Sequence, residues 1–284
     1  MQIQPESPPP NSQFSENTLC IFVSQSGETA DTIAALKLAK ENNATTIAIT
    51  NVIGSSITRE ADFSLYTHAG PEIAVASTKA YTSQVILFNI LAIYFAEKLE
   101  ISSKEYLNEL KTEILDLSSK IEDTLKNNSE LIKDISKKIY NNTDIFFLGR
   151  GIDEAIAKEA SLKLKEISYI HSESYAAGEL KHGPIALIEE GTIVISILTD
   201  PFLVKKSISN IQEVISRGAK TIVITNQDIE KNSFDKIIYV PEVNSLLSPI
   251  VSIIPLQLLA YYISKEKNLD VDKPRNLAKS VTVE

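Results

Sequence analysis

Cysteine is almost missing from this 284-residue chain, with Cys20 standing alone. That excludes an intrachain disulfide and any cysteine-based metal site. Histidine is scarce too, with three residues in all. Basic residues are outnumbered, 28 Lys and Arg against 37 Asp and Glu, giving a net charge of −9 and a pI near 5.1. This balance argues against a nucleic-acid partner, which wants a basic face. It leaves a phosphorylated small molecule open, because backbone N–H groups can hold an anion locally. No charged-then-apolar leader opens the chain, so a cytoplasmic location is expected. A long uninterrupted apolar run is also lacking. Leu246 to Ile263 comes nearest a membrane span, but Ser248, Pro249, Ser252, Pro255 and Gln257 break it. It reads as a helix buried between a sheet and another subunit, and no membrane partner is expected.

What remains is ordinary for a globular protein: 43% apolar and 23% charged residues. Residues 1–17 are rich in Pro, Ser, Gln and Asn with no apolar period, and read as a flexible tail. From Thr18 onward short β-branched runs alternate with longer helical patterns. Strands are expected at 19–23, 46–50, 64–67, 145–148, 192–198, 221–225 and 236–240. Helices are expected at 28–42, 78–99, 104–126, 130–140, 154–168, 201–217 and 244–265. Strands separated by helices predict an α/β fold with doubly wound parallel sheets.

The pattern also repeats. Thr46-Ile-Ala-Ile-Thr-Asn51 returns as Thr221-Ile-Val-Ile-Thr-Asn226, an offset of 175 residues (221 less 46). The surrounding elements follow the same order, which predicts two homologous α/β units. The strand at 145–148 and the helix at 154–168 find no counterpart in the first unit. That unit is therefore expected to lack its opening strand and helix. The expected division is a tail at 1–17, a truncated first unit at 18–100, a second unit with connecting helices at 101–268, and a C-terminal segment at 269–284.

Chemistry-bearing residues gather in four places. Ser24-Gln-Ser-Gly-Glu-Thr29 ends a strand and opens a helix, where open α/β sheets bind ligands. Gly27 permits a tight turn, and the hydroxyls of Ser24, Ser26 and Thr29 can converge with helix N–H groups on a phosphate monoester. A plain helix cap is the competing reading. No Gly-Lys-Ser/Thr lysine follows, so this is not a nucleotide P-loop. Val75-Ala-Ser-Thr-Lys79 also opens a helix; taken alone, Ser77 reads as its cap. Glu159, Lys163 and Glu166 share one helix face, which suits either a solvated salt-bridge stripe or acid–base chemistry. The Gly- and Pro-punctuated loop 174–184 supplies His182 and Glu179. An imidazole and a carboxylate are the pair wanted to open a sugar ring and move a proton between its C1 and C2. His68 and His171 read as structural. The last stretch, Asp270 to Glu284, is not helical and has no role by composition.

Together SQSGETADT, EIAVASTKAYT, LKLKEISYIHSESYAAGELKHGPIAL and DVDKPRNLAKSVTVE resemble the isomerase domain of the glutamine:fructose-6-phosphate aminotransferases. That domain is built from two sugar isomerase (SIS) units. The resemblance runs from Thr18 to Glu284. It implies that Ser24, Gln25, Ser26 and Thr29 bind the sugar phosphate and that Val75 and Ser77 line the sugar site. Glu166 would shuttle the C1/C2 proton with Lys163 beside it. His182 would open the ring, reaching across the interface of a homodimer. Ala278 and Lys279 would close over the substrate from the C-terminal tail. The implied ligand is a hexose 6-phosphate, and the implied activity is ketose–aldose isomerisation toward glucosamine 6-phosphate. No metal or organic cofactor is implied. The family's glutaminase half is not in this chain, so ammonia delivery would fall to a separate glutaminase chain. The family's Cys-Gly-Thr-Ser turn falls in the missing opening segment, and His68 stands where asparagine is expected. The other reading is a non-catalytic SIS module that binds a phosphosugar and regulates.

Overall fold

The computed structural model describes residues 17–279. The proline-rich segment up to residue 16 and the last five residues of the predicted C-terminal segment lie outside them. In chain order the elements are β1 Leu19–Val23, α1 Ala30–Glu41, β2 Thr45–Thr50, α2 Ser56–Glu60, β3 Phe63–Tyr66 and α3 Lys79–Lys98. Then come α4 Lys104–Ile139, β4 Asp144–Gly149, α5 Ile152–Ser168, β5 His171–Ala176, β6 Ile193–Leu198, α6 Val204–Ile215, β7 Lys220–Thr225, β8 Lys236–Tyr239 and α7 Ser248–Glu266. The described residues form two compact units, residues 17–87 with 275–279, and residues 88–274.

The first unit holds a parallel sheet in the order β1-β2-β3. Leu36 of α1, Ala48 of β2 and Ile57 of α2 are fully buried in its core, with Phe22 and Ile33 packed on them. The second holds a five-stranded parallel sheet in the order β5-β4-β6-β7-β8. Both faces of a parallel sheet must be covered. Accordingly β6 is buried along its whole length, and Ile211 and Val214 of α6 pack onto Val194, Leu198 and Val223.

The repeat is written in hydrogen bonds as well as in letters. At the start of β2, the N–H and Oγ1 of Thr46 both donate to Asp62 Oδ2, at 2.9 and 2.8 Å. At the start of β7, the N–H and Oγ1 of Thr221 both donate to Asp235 Oδ2, at 2.8 and 3.2 Å. Thus β1, β2 and β3 match β6, β7 and β8. Among the described residues β1 pairs with β2 alone, whereas β6 pairs with both β4 and β7.

Three expectations need correction. The helices predicted at 104–126 and 130–140 are one 36-residue helix. Asn128, which reads as a breaker, is buried and donates to Thr124 O at 2.9 Å and Tyr239 O at 3.0 Å, so a tertiary bond offsets its poor propensity. The segment 171–176, whose second half reads as loop, is strand β5 at the sheet edge, where polar residues are tolerated. Finally, α7 is buried against α4 and α5 of its own unit, without a second subunit. Among the described residues, the helix that is long and apolar enough to cross a membrane is instead α3, of which little is buried.

Candidate functional site

The first candidate lies where β1 ends and α1 begins, within the first unit. Gly27 adopts φ +69°, and a Cβ there would sit 2.1 Å from Ser55 Oγ, so no other residue fits without displacement. The turn brings Ser24 Oγ and Thr29 Oγ1 together in a 2.9 Å hydrogen bond, and the Gly27 N–H donates to Ser24 Oγ at 3.0 Å. Ser26 Oγ instead accepts from the Glu28 N–H at 3.2 Å. Thr29 occupies the N-cap of α1, yet its side chain does not cap the helix. The cap reading therefore fails, and α1 offers its first-turn amides and positive dipole end at the sheet's carboxyl edge. Asn51 ties the loops around this edge. Its N–H donates to Gln25 O at 3.1 Å, while its Oδ1 accepts from Thr67 Oγ1 and the Ala69 N–H.

The repeat supplies a comparison for this turn. The second-unit counterpart of Ser24, 175 residues on, is Thr199. Its N–H and hydroxyl donate to Asp153, a carboxylate on α5 that is 2% exposed. Burial pushes the Asp153 carboxyl up, against the lowering effect of those bonds. A buried carboxyl thus occupies this turn in the second unit; α5, which carries it, has no counterpart among the described residues of the first unit.

The second candidate is on α5. Lys163 is buried, and its Nζ donates to Glu166 Oε2 at 2.5 Å and lies 3.6 Å from Glu159 Oε1. The side chains of Glu159 and Glu166 are 16% and 21% exposed. A solvated stripe is excluded. Burial drives the Glu159 carboxyl above the usual range, with Glu166 adding to the rise and Lys163 opposing it. Two carboxylates therefore share one ammonium in a poorly hydrated place, the setting that tunes acid–base groups.

His182 closes a short 3₁₀ turn, its N–H bonded to Glu179 O at 3.0 Å. The residue is exposed, and its ring makes no hydrogen bond among the described residues. His171, by contrast, pairs with Asp144 at 2.9 Å across β5 and β4, as a structural histidine does.

The loop 71–78 and the tail form the third candidate, again within the first unit. Ser77 is not the cap of α3, since its hydroxyl has no hydrogen-bond partner among the described residues. Glu72 caps the helix instead, its Oε1 accepting from the N–H groups of Thr78 at 2.8 Å and Ala80 at 3.5 Å. From the tail, Lys279 donates to Ala74 O at 2.6 Å and Glu72 Oε2 at 3.2 Å. Ala278 is exposed beside it. Glu72 escaped the sequence reading because it caps from six residues upstream, outside the capping-box spacing.

Comparison with known proteins bears on these arrangements. The family described as SIS domain matches residues 6–94 and 138–264. The chain is 58% identical over 277 residues to a glutamine–fructose-6-phosphate aminotransferase (isomerizing) of Clostridium tetani, a match over 96% of this chain and 45% of that protein. It thus spans about half the length of the curated relatives it matches. The solved C-terminal domain of glucosamine-fructose-6-phosphate aminotransferase from Francisella tularensis superposes with a TM-score of 0.85 at 36% identity. That match covers 92% of this chain and 76% of that one. A glucosamine-6-phosphate deaminase from Thermotoga maritima superposes at 0.69 with 26% identity, covering 94% and 76%.

Proposed function

Because the chain belongs to the SIS-domain family, within the isomerase half of the glutamine–fructose-6-phosphate aminotransferases, we propose that it binds fructose 6-phosphate and interconverts ketose and aldose. The observation that carries the reading is the buried Glu159–Lys163–Glu166 cluster, a carboxylate base held against an ammonium. In this reading Glu166 takes a proton from C1 of the open-chain sugar and returns it at C2. The adjacent Lys163 ammonium offsets the negative charge that develops on the enediol oxygens. Ser24, Gln25, Ser26 and Thr29, with the α1 N-terminus, hold the phosphate. Val75 and Ser77 line the sugar, and Ala278 and Lys279 close from the tail. His182 opens the ring in the partner subunit of a homodimer, a role that suits an exposed imidazole without a partner among the described residues.

With ammonia from a separate glutaminase chain, the C2 carbonyl of the ketose first condenses with it and loses water, and the same C1-to-C2 proton transfer on that imine gives glucosamine 6-phosphate. A phosphorylated hexose and an unpaired cysteine fit a cytoplasmic setting. The test is NMR observation of fructose 6-phosphate conversion to glucose 6-phosphate, with and without ammonium. Turnover that disappears in Glu166→Gln is expected. Absence of turnover from folded protein sinks the enzymatic reading. Calorimetric hexose phosphate binding without turnover would leave a phosphosugar-binding module.

A further inference from the structure

Glu72 lies inside the EIAVASTKAYT motif, yet neither the motif's spacing nor the family resemblance assigns it a role. Its side chain is 4% exposed. A carboxylate so deeply buried must have its charge met on both oxygens. Capping α3 uses one of them, through the Thr78 and Ala80 N–H groups. The other faces an ammonium 207 residues away in sequence, that of Lys279. Burial acts to push the Glu72 carboxyl up, but the Thr78 N–H and the Lys279 ammonium outweigh it and hold it below the usual range. Lys279 makes its second bond to Ala74 O, next to Val75, and Lys79 ties Pro71 O at 2.7 Å. Loop 71–80 and the tail up to Lys279 are thereby one assembly.

We propose that Glu72 is the positioning residue for Lys279. Its carboxylate is fixed by the first turn of α3, and it anchors the ammonium beside the Val75–Ser77 loop. The tail is therefore drawn into place before any sugar arrives. The catalytic meaning of this anchor rests on the sugar-phosphate reading above; the anchor itself does not.

The discriminating variant is Glu72→Gln, whose amide oxygen still accepts from the Thr78 N–H while the anion is lost. Lysine reactivity toward a limiting acetylating reagent, read by peptide mass spectrometry, reports each ammonium separately. Lys279 should acetylate about tenfold faster in Glu72→Gln, the protection that one charge-assisted hydrogen bond supplies. Lys79 and the exposed Lys158 should not change. Glu72→Ala, which removes the cap as well, should raise Lys79 together with Lys279. If Glu72→Gln leaves Lys279 as protected as in the parent, or raises Lys79 equally, the assignment is overturned.

Should that variant fail to fold, Lys279→Gln approaches the pair from the tail. Trypsin should then cut after Arg275 about tenfold faster, and an unchanged rate would overturn the assignment. Fructose 6-phosphate titrated calorimetrically into the parent protein keeps the two readings apart. Failure to bind removes the substrate and leaves the anchor standing.

Discussion

Replacing Lys163 with methionine tests whether the α5 cluster is buried chemistry or surface decoration. Methionine keeps the bulk of the lysine stem and removes the charge. Glu159 and Glu166, each about four-fifths buried, then face one another without a cation. Breaking a buried ion pair from one side costs about 3–5 kcal/mol. A second route bounds the loss. The structure can relieve the repulsion by protonating one carboxyl, which for an ordinary glutamate at pH 7 costs about 3.7 kcal/mol. The two agree, so Lys163→Met should lose about 3–4 kcal/mol at pH 7. With a urea slope of about 3 kcal/mol per molar, the midpoint of ellipticity loss should fall by about 1 M.

The sign with pH is also determined. A carboxyl raised in the folded state keeps its stability contribution below the unfolded pKa and loses it as pH climbs. At pH 5 protonation costs only about 1 kcal/mol, so the deficit should shrink accordingly. Pairing the change with Glu166→Gln should recover most of it at pH 7. A loss under about 1 kcal/mol at both pH values would refute the reasoning, because it is what an exposed pair gives.

Gly27→Ala should weaken fructose 6-phosphate binding at least about tenfold by calorimetry, the cost of displacing one hydrogen-bonded turn. It should also lower the melting temperature, since φ is positive and Ser55 Oγ stands in the way; an unchanged affinity would detach the cradle from binding. Amide exchange should be faster in β1 than in β6, because β1 pairs on one side only among the described residues. Equal protection in the two strands would show that something covers the β1 edge.

Much of this architecture was legible in the letters. The Thr-Ile-x-Ile-Thr-Asn repeat announced two units, and the alternation of runs announced parallel sheets. Where reading failed, a distant partner had overridden a local signal. Asn128 looks like the end of a helix until Tyr239 O is known to receive it. Ser174 to Ala176 looks like loop because its polar residues belong to an edge strand. Ser77 looks like a cap because Glu72 acts from a loop whose path no spacing reveals. The cradle was half legible: Ser24 and Thr29 meet as expected, while Ser26 turns to its neighbour's amide. The acid–base face was visible in its spacing, but its burial was not.

The threonine–aspartate clamp carries a consequence for how such a protein can vary. Thr46 and Asp62 are 16 residues apart, Thr221 and Asp235 only 14, and yet both pairs close with the same three groups. The two additional residues are absorbed in the excursion between the strands, which leaves from the carboxyl edge and returns to the amino edge. Each clamp pins strand register at the amino end of the strands. Insertions near the carboxyl edge therefore cost the scaffold little, and each copy of the repeat is free to drift toward its own chemistry. At that carboxyl edge they already differ: in one copy Ser24 pairs with Thr29, in the other Thr199 pairs with a buried acid.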